Sequence, residues 1–242
     1  MSGGLEAPAW LAFHPGGAPL EKIVSEDSVW EAPEGTEAYW YGYEVVTGDY
    51  NGDGYPDMAL SLGKDGKAHV LLGGAEPDFD SDIQYAFIAD DAACAPGIIA
   101  TLNMNGDAFD DLAALCPAAR QLWVQMGSSG LAGGAEWTAM LTRSPRNLTA
   151  GDLDANGFDD IFFPGPTVFR GAPDPQTEPS YNVAPPPPHD ADPVAVADHD
   201  GDGYLDLAQA GYWYPGPHSP AIPSPVIVMS GEDELAISAL AR

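Results

Sequence analysis

The sequence predicts an all-β protein, a β-propeller built from four-stranded antiparallel blades. Three observations predict it. An Asp/Asn/Gly-rich nine-residue loop occurs four times in one register, roughly 50 residues apart. Every copy runs straight into an apolar stretch. Between copies lie short apolar runs separated by Gly- and Pro-rich turns. A period of that length filled by several short strands is the pattern of a propeller blade.

The first loop runs from Asp49 to Asp57. Its odd positions carry Asp49, Asn51, Asp53, Tyr55 and Asp57. The same places hold Asn103, Asn105, Asp107, Phe109 and Asp111, then Asp152, Asp154, Asn156, Phe158 and Asp160, then Asp198, Asp200, Asp202, Tyr204 and Asp206. Carboxylate and amide oxygens at alternate positions, with no Cys or His among them, suit a hard cation such as calcium. The aromatic seventh residue would contribute its main-chain carbonyl. Up to four calcium ions are expected. An ordinary EF-hand is a poor fit, because its twelfth position needs glutamate and here carries Leu60, Ala114, Phe163 or Gln209. Side-chain carboxylates number three, two, three and four in chain order, so charge ranks the fourth loop tightest and the second weakest.

The tenth position is apolar each time: Met58, Leu112, Ile161 and Leu207. Repeat units are expected at about 40–90, 97–142, 147–184 and 193–230 of one domain spanning 1–242. Each would hold a strand into the loop, a strand out, a hairpin and a further strand. Strands are left over at both ends, around Trp10, around Trp30 and at Leu235–Leu240. Segments 5–35 and 232–242 could together form a fifth blade that closes the ring and removes exposed edges. A four-bladed ring, or part of a larger one, is the alternative.

Composition narrows function. The 242 residues carry a formal net charge of −29, from 37 acidic and 8 basic side chains. Such a field repels nucleic acid and anionic membrane, and no basic patch offsets it. No stretch is long and apolar enough to insert into a membrane. No secretion signal is visible, yet calcium loops of modest affinity make most sense outside the cell or at its surface, where calcium is plentiful. Cys94 precedes the apolar run Ile98–Ala100 and Cys116 follows the run Leu112–Leu115, compatible either with one disulfide or with two buried thiols.

The stretch Tyr41-Gly42-Tyr43, followed by Val45-Val46-Thr47-Gly48 and the loop to Asp57, resembles the FG-GAP repeat of integrin α-subunit propellers and the related VCBS-type repeats of bacterial surface proteins. The resemblance covers about residues 40 to 210. It implies a calcium-stabilised propeller, usually seven-bladed, whose ions rivet blades and rarely touch the ligand. This chain is too short for seven such blades.

These readings converge on an extracellular recognition or adhesion module, without catalysis of its own, that binds protein or glycan. Trp40, Tyr41, Tyr212, Trp213 and Tyr214 are the candidate contacts. A polysaccharide lyase or glycoside hydrolase is the first alternative, drawing on spare acids such as Asp78, Asp80, Asp82, Asp90, Asp91, Asp190 and Asp192. A spacer or self-associating surface module is the second.

Overall fold

The computed structural model describes residues 10–12, 29–31, 41–62, 67–75, 83–88, 98–116, 118–129, 131, 137–142, 145–163, 167–179, 181–182, 194–209, 212–216 and 227–228. They are all-β. Two short strands come first, β1 (Trp10–Ala12) and β2 (Val29–Glu31), paired antiparallel. Four four-stranded sheets follow. The first holds β3 (Tyr41–Gly48), β4 (Asp57–Leu62), β5 (Lys67–Leu71) and β6 (Ile83–Ile88). The second holds β7 (Ile98–Leu102), β8 (Asp111–Cys116), β9 (Gln121–Gln125) and β10 (Trp137–Met140). The third holds β11 (Thr149–Gly151), β12 (Asp160–Phe163), β13 (Thr167–Phe169) and β14 (Tyr181–Asn182). The fourth holds β15 (Val194–Ala197), β16 (Asp206–Gln209), β17 (Tyr212–Tyr214) and β18 (Ile227–Val228). Each is an antiparallel meander in sequence order.

The strand leaving each metal-type loop is the second in its sheet, flanked on both sides. A continuous apolar run suits a strand buried on both faces. β8 and β12 are buried at every residue. The outer β10 alternates buried and exposed, as an edge strand should.

The expected closed propeller is not what the described residues form. No sheet closes or curls on itself; each is a linear order of strands. The fifth blade shared between the termini is likewise corrected. Among the described residues, β1 and β2 pair only with each other, and the fourth sheet holds its own β18. The physical reason is local: each repeat supplies all four strands of its own sheet, so each meander is satisfied without a strand borrowed from elsewhere. Leu235–Leu240 lies outside the described residues.

The chain divides into two compact units. The first comprises 1–102 with 107–144, and the second 103–106 with 145–242. The first has a core of Tyr50, Ala59, Ala68, Val70, Ile99, Leu112, Ala114, Cys116 and Leu131. The second packs Leu153, Phe162, Val168, Leu207 and Tyr214. Cys116 is fully buried and disulfide-bonded. The chain's other cysteine, Cys94, lies outside the described residues.

Candidate metal centres

Each nine-residue loop connects the first strand of its sheet to the second, and its conformation is fixed by its own carboxylates. In the first loop, Oδ1 of Asp49 accepts from the Asp53 N–H at 3.0 Å and Oδ2 from the Gly54 N–H at 2.9 Å. Asp152 does the same for Asn156 and Gly157, at 2.9 and 2.8 Å. Asp198 caps Gly201 and Gly203, at 2.7 and 3.0 Å. In the second loop the amide oxygen of Asn103 accepts from Gly106 at 2.8 Å. The fifth residue then accepts from the seventh N–H in all four copies, at 2.8 to 2.9 Å. Asp and Asn are suited to such short-range side-chain-to-backbone turns.

Backbone dihedrals show why glycine recurs. The fourth residue has positive φ in every loop: Gly52 at 72°, Gly106 at 71°, Ala155 at 58° and Gly201 at 78°. Glycine adopts this region without steric cost. Gly52 and Gly106 face a further constraint. A Cβ on either would stand 2.4 Å from the ring of Phe109 or Phe158 respectively, the seventh residue of the following loop.

The ninth-position aspartates are a buried set: Asp57, Asp111, Asp160 and Asp206 are each at most 2% exposed. One carboxylate oxygen accepts from the second residue of its own loop, Tyr50, Leu153 or His199, at 2.9, 3.1 and 2.9 Å. The other accepts from a glycine N–H after the third strand: Gly73, Gly127, Gly171 and Gly216, at 2.8 to 2.9 Å. Burial raises the carboxyl pKa of Asp57, and pushes that of Asp160 up to about 7, while the same N–H donors pull both back.

Two loops bring carboxylates together. Asp152, Asp154 and Asp160 offer ligand oxygens all within 4.8 Å of one another, and so do Asp198, Asp200 and Asp206. Either triad could hold a divalent cation. The oxygen-only donor set fits a hard ion, and the fourth loop meets that test without complication. In the third, the Arg170 guanidinium is already paired with Asp154. In the first and second loops, Asn51, Asn103 and Asn105 put amides where the triads have carboxylates. Tyr55 and Tyr204 at the seventh position are 44% and 42% exposed, and Phe109 and Phe158 are half-buried.

Among the candidate ligand contacts, Tyr214 is 1% exposed and belongs to the core of the second unit. Burial removes it from any exposed aromatic patch. Tyr41 lies at the start of β3, and Tyr212 and Trp213 lie in β17. Trp40 falls outside the described residues, as do Asp78, Asp80, Asp82, Asp90, Asp91, Asp190 and Asp192.

Two sets of residues that matter to the loops carry a sequence signal that is easy to overlook. The second position is apolar three times, and Tyr50, Met104 and Leu153 are buried plugs at 1%, 0% and 1% exposure. The glycine series Gly73, Gly127, Gly171 and Gly216 sits against the backbone of the eighth loop residue. A Cβ there would come within 2.1 to 2.5 Å of a carbonyl oxygen.

The FG-GAP repeat model matches residues 41–71. No curated protein matches the chain. Among solved structures, an Agrocybe aegerita lectin that recognises non-reducing terminal N-acetylglucosamine is similar at 17% identity and a TM-score of 0.55, over 76% of this chain and 52% of that one. The V. cholerae biofilm matrix protein Bap1 is similar at 14% identity and a TM-score of 0.42, over 70% of this chain and 28% of that one. BBS1N, solved in complex with ARL6DN, is similar at 15% identity and a TM-score of 0.43, over 72% and 53% respectively. The chain spans about half or less of the length of these proteins. The lectin likeness speaks to fold alone. Among the described residues no helix is long and apolar enough to cross a membrane.

Proposed function

We propose that this chain is a calcium-stabilised recognition module that binds a protein or a glycan outside the cell. The observation that carries the proposal is the pair of aspartate triads, each built on a loop whose ninth residue is buried and clamped to two backbone N–H groups. Clustered carboxylates repel one another, and a divalent cation that binds only the folded chain relieves this and stabilises the fold. The ion then acts as a rivet, leaving surfaces beyond the loops to make contact with a ligand. The Cys116 disulfide supports an oxidising compartment. The net charge of −29 argues against nucleic acid and anionic membrane as partners. A lectin of similar fold makes a glycan the first ligand class to try.

The test has two arms. Thermal melting in calcium and in excess chelator is expected to show a large loss of stability on chelation. A glycan array that includes chains ending in non-reducing N-acetylglucosamine, run beside an extracellular-protein array, is expected to give binding in calcium that disappears in chelator. An unchanged melting temperature in chelator would refute the role given to the ion. Polysaccharide cleavage by the purified chain would move the assignment to an enzyme.

A further inference from the structure

The third loop departs from its siblings in one residue outside the loop itself. In each sheet, the glycine that donates its N–H to the ninth-position carboxylate is preceded by the first residue after the third strand. Those residues are Leu72, Met126, Arg170 and Pro215. Arg170 is thus the charged member of an otherwise uncharged register. Its guanidinium reaches the third-position carboxylate of its own repeat and pairs with Asp154. The Asp154 side chain is 1% exposed, whereas that of Arg170 is 32% exposed, so the cation approaches from the solvent side of a buried acid.

Asp154 is also one of the three carboxylates of the third-loop triad, with Asp152 and Asp160. A buried carboxylate that accepts no hydrogen bond, as the Asp154 oxygens do not, needs a counter-charge from an ion or from a side chain. Here the chain supplies its own. A divalent ion entering the same triad would meet a fixed positive charge at its edge and one carboxylate already neutralised. We propose that in the third repeat the Arg170 guanidinium takes the place of the metal ion, so that this loop is closed by an internal cation. The proposal rests on the reading of these loops as calcium sites. It reverses part of the ranking by charge: the third loop has three acidic ligands by sequence, yet behaves as a weak or closed site.

Calcium alone is the probe, titrated calorimetrically into the full chain, with melting temperature as a second readout. R170M installs the residue that the second repeat has at this register. R170Q keeps a polar side chain there and guards against misfolding of R170M. Either variant is expected to take up calcium at one site at least tenfold more tightly than the natural chain, and adding D152N is expected to abolish that gain. In chelator both should melt lower than the natural chain, and calcium should close the gap. If the other loops bind calcium but removing Arg170 leaves uptake unchanged or weakens it, Arg170 merely positions Asp154 and the proposal is overturned while the function proposed above survives. If neither the natural chain nor the variants bind calcium, both are overturned.

Discussion

At the scale of single residues, the loops separate two uses of glycine that look alike in sequence. Gly52 and Gly54 both have positive φ, at 72° and 85°. A Cβ at Gly54 would meet nothing within 4 Å, but one at Gly52 would collide with the Phe109 ring. Gly54→Ala should therefore cost only the backbone term, about 1 kcal/mol. Gly52→Ala should cost that plus the displacement of a packed ring, about 2–4 kcal/mol in all. Equal losses in chemical denaturation would show that the Phe109 contact is incidental. Glu44 offers a test by pH. Its carboxylate accepts from the Ile99 N–H at 2.7 Å, and burial raises its pKa above the ordinary 4.5. A raised carboxyl pKa means that the ionised form is disfavoured in the fold. The cost is present above the raised value and is relieved as pH falls through it. Glu44→Gln keeps an oxygen for Ile99 and removes the charge, so it should melt higher than the natural chain at neutral pH. The advantage should vanish as pH approaches 4.5. An advantage that persists in acid would assign the effect to something other than ionisation.

At the scale of elements, the repeats are joined loop to loop. The Asp49 N–H donates to Oδ2 of Asp110 at 2.8 Å, and the Asp110 N–H donates back to the Asp49 carbonyl at 3.0 Å. Asn103 and Asp159 repeat this exchange at 2.8 and 3.0 Å. The carbonyls of Tyr50 and Met104 accept from Ser128 and Ala172, the residues just after the clamping glycines. The eighth loop position is thus a joint, although it is not among the odd-numbered residues that draw attention in the sequence. Asp110→Ala and Asp159→Ala should each destabilise by about 1–2 kcal/mol. The corresponding Asn variants keep an acceptor and should lose markedly less. Denaturant melts of the four variants decide this, and indistinguishable Ala and Asn variants would remove the joint from the account. The strands were legible because apolar runs beside Asp- and Gly-rich turns admit few alternatives, and Leu112 to Leu115 fill β8 at full burial as such a run should. The loop spacing was legible because alternate oxygens mark a hard-cation site. The joints were not, because a carboxylate at Asp110 is indistinguishable from a solvated one until the Asp49 N–H is seen opposite it. Nor was Arg170, because its relation to Asp154 crosses from the third strand back to the loop.

At the scale of the whole molecule, the period of the sequence reports that units repeat, not how they are connected. The described residues give four linear sheets and a separate two-stranded pair, distributed over two compact units. The joints also differ. Where the second and third loops carry Asp110 and Asp159, the fourth carries Leu205 at its eighth position, and Pro217 follows its clamping glycine. A leucine side chain has no oxygen to accept from the Asp152 N–H, and proline has no N–H to donate to the Leu153 carbonyl. Leu205 instead packs toward Gly151, where a Cβ would stand 2.9 Å from its Cδ1. Among the described residues, the joint between the third and fourth loops therefore lacks the eighth-position side-chain acceptor that Asp110 and Asp159 provide to Asp49 and Asn103. Ala155 at positive φ belongs to the same joint: its counterparts Gly52 and Gly106 are held under an aromatic ring, while Tyr204, the fourth loop's aromatic, is 42% exposed. Local opening follows the weakest set of contacts. Hydrogen exchange on the full chain should find the Asp49 and Asn103 amides protected by their aspartate acceptors, and the Asp152 amide exchanging at least tenfold faster. Calcium should slow exchange within the loops while leaving that order intact. Equal protection at the three amides would mean that the apolar joint is as tight as the hydrogen-bonded ones, and that the loss of Asp at the eighth position has been compensated by packing alone.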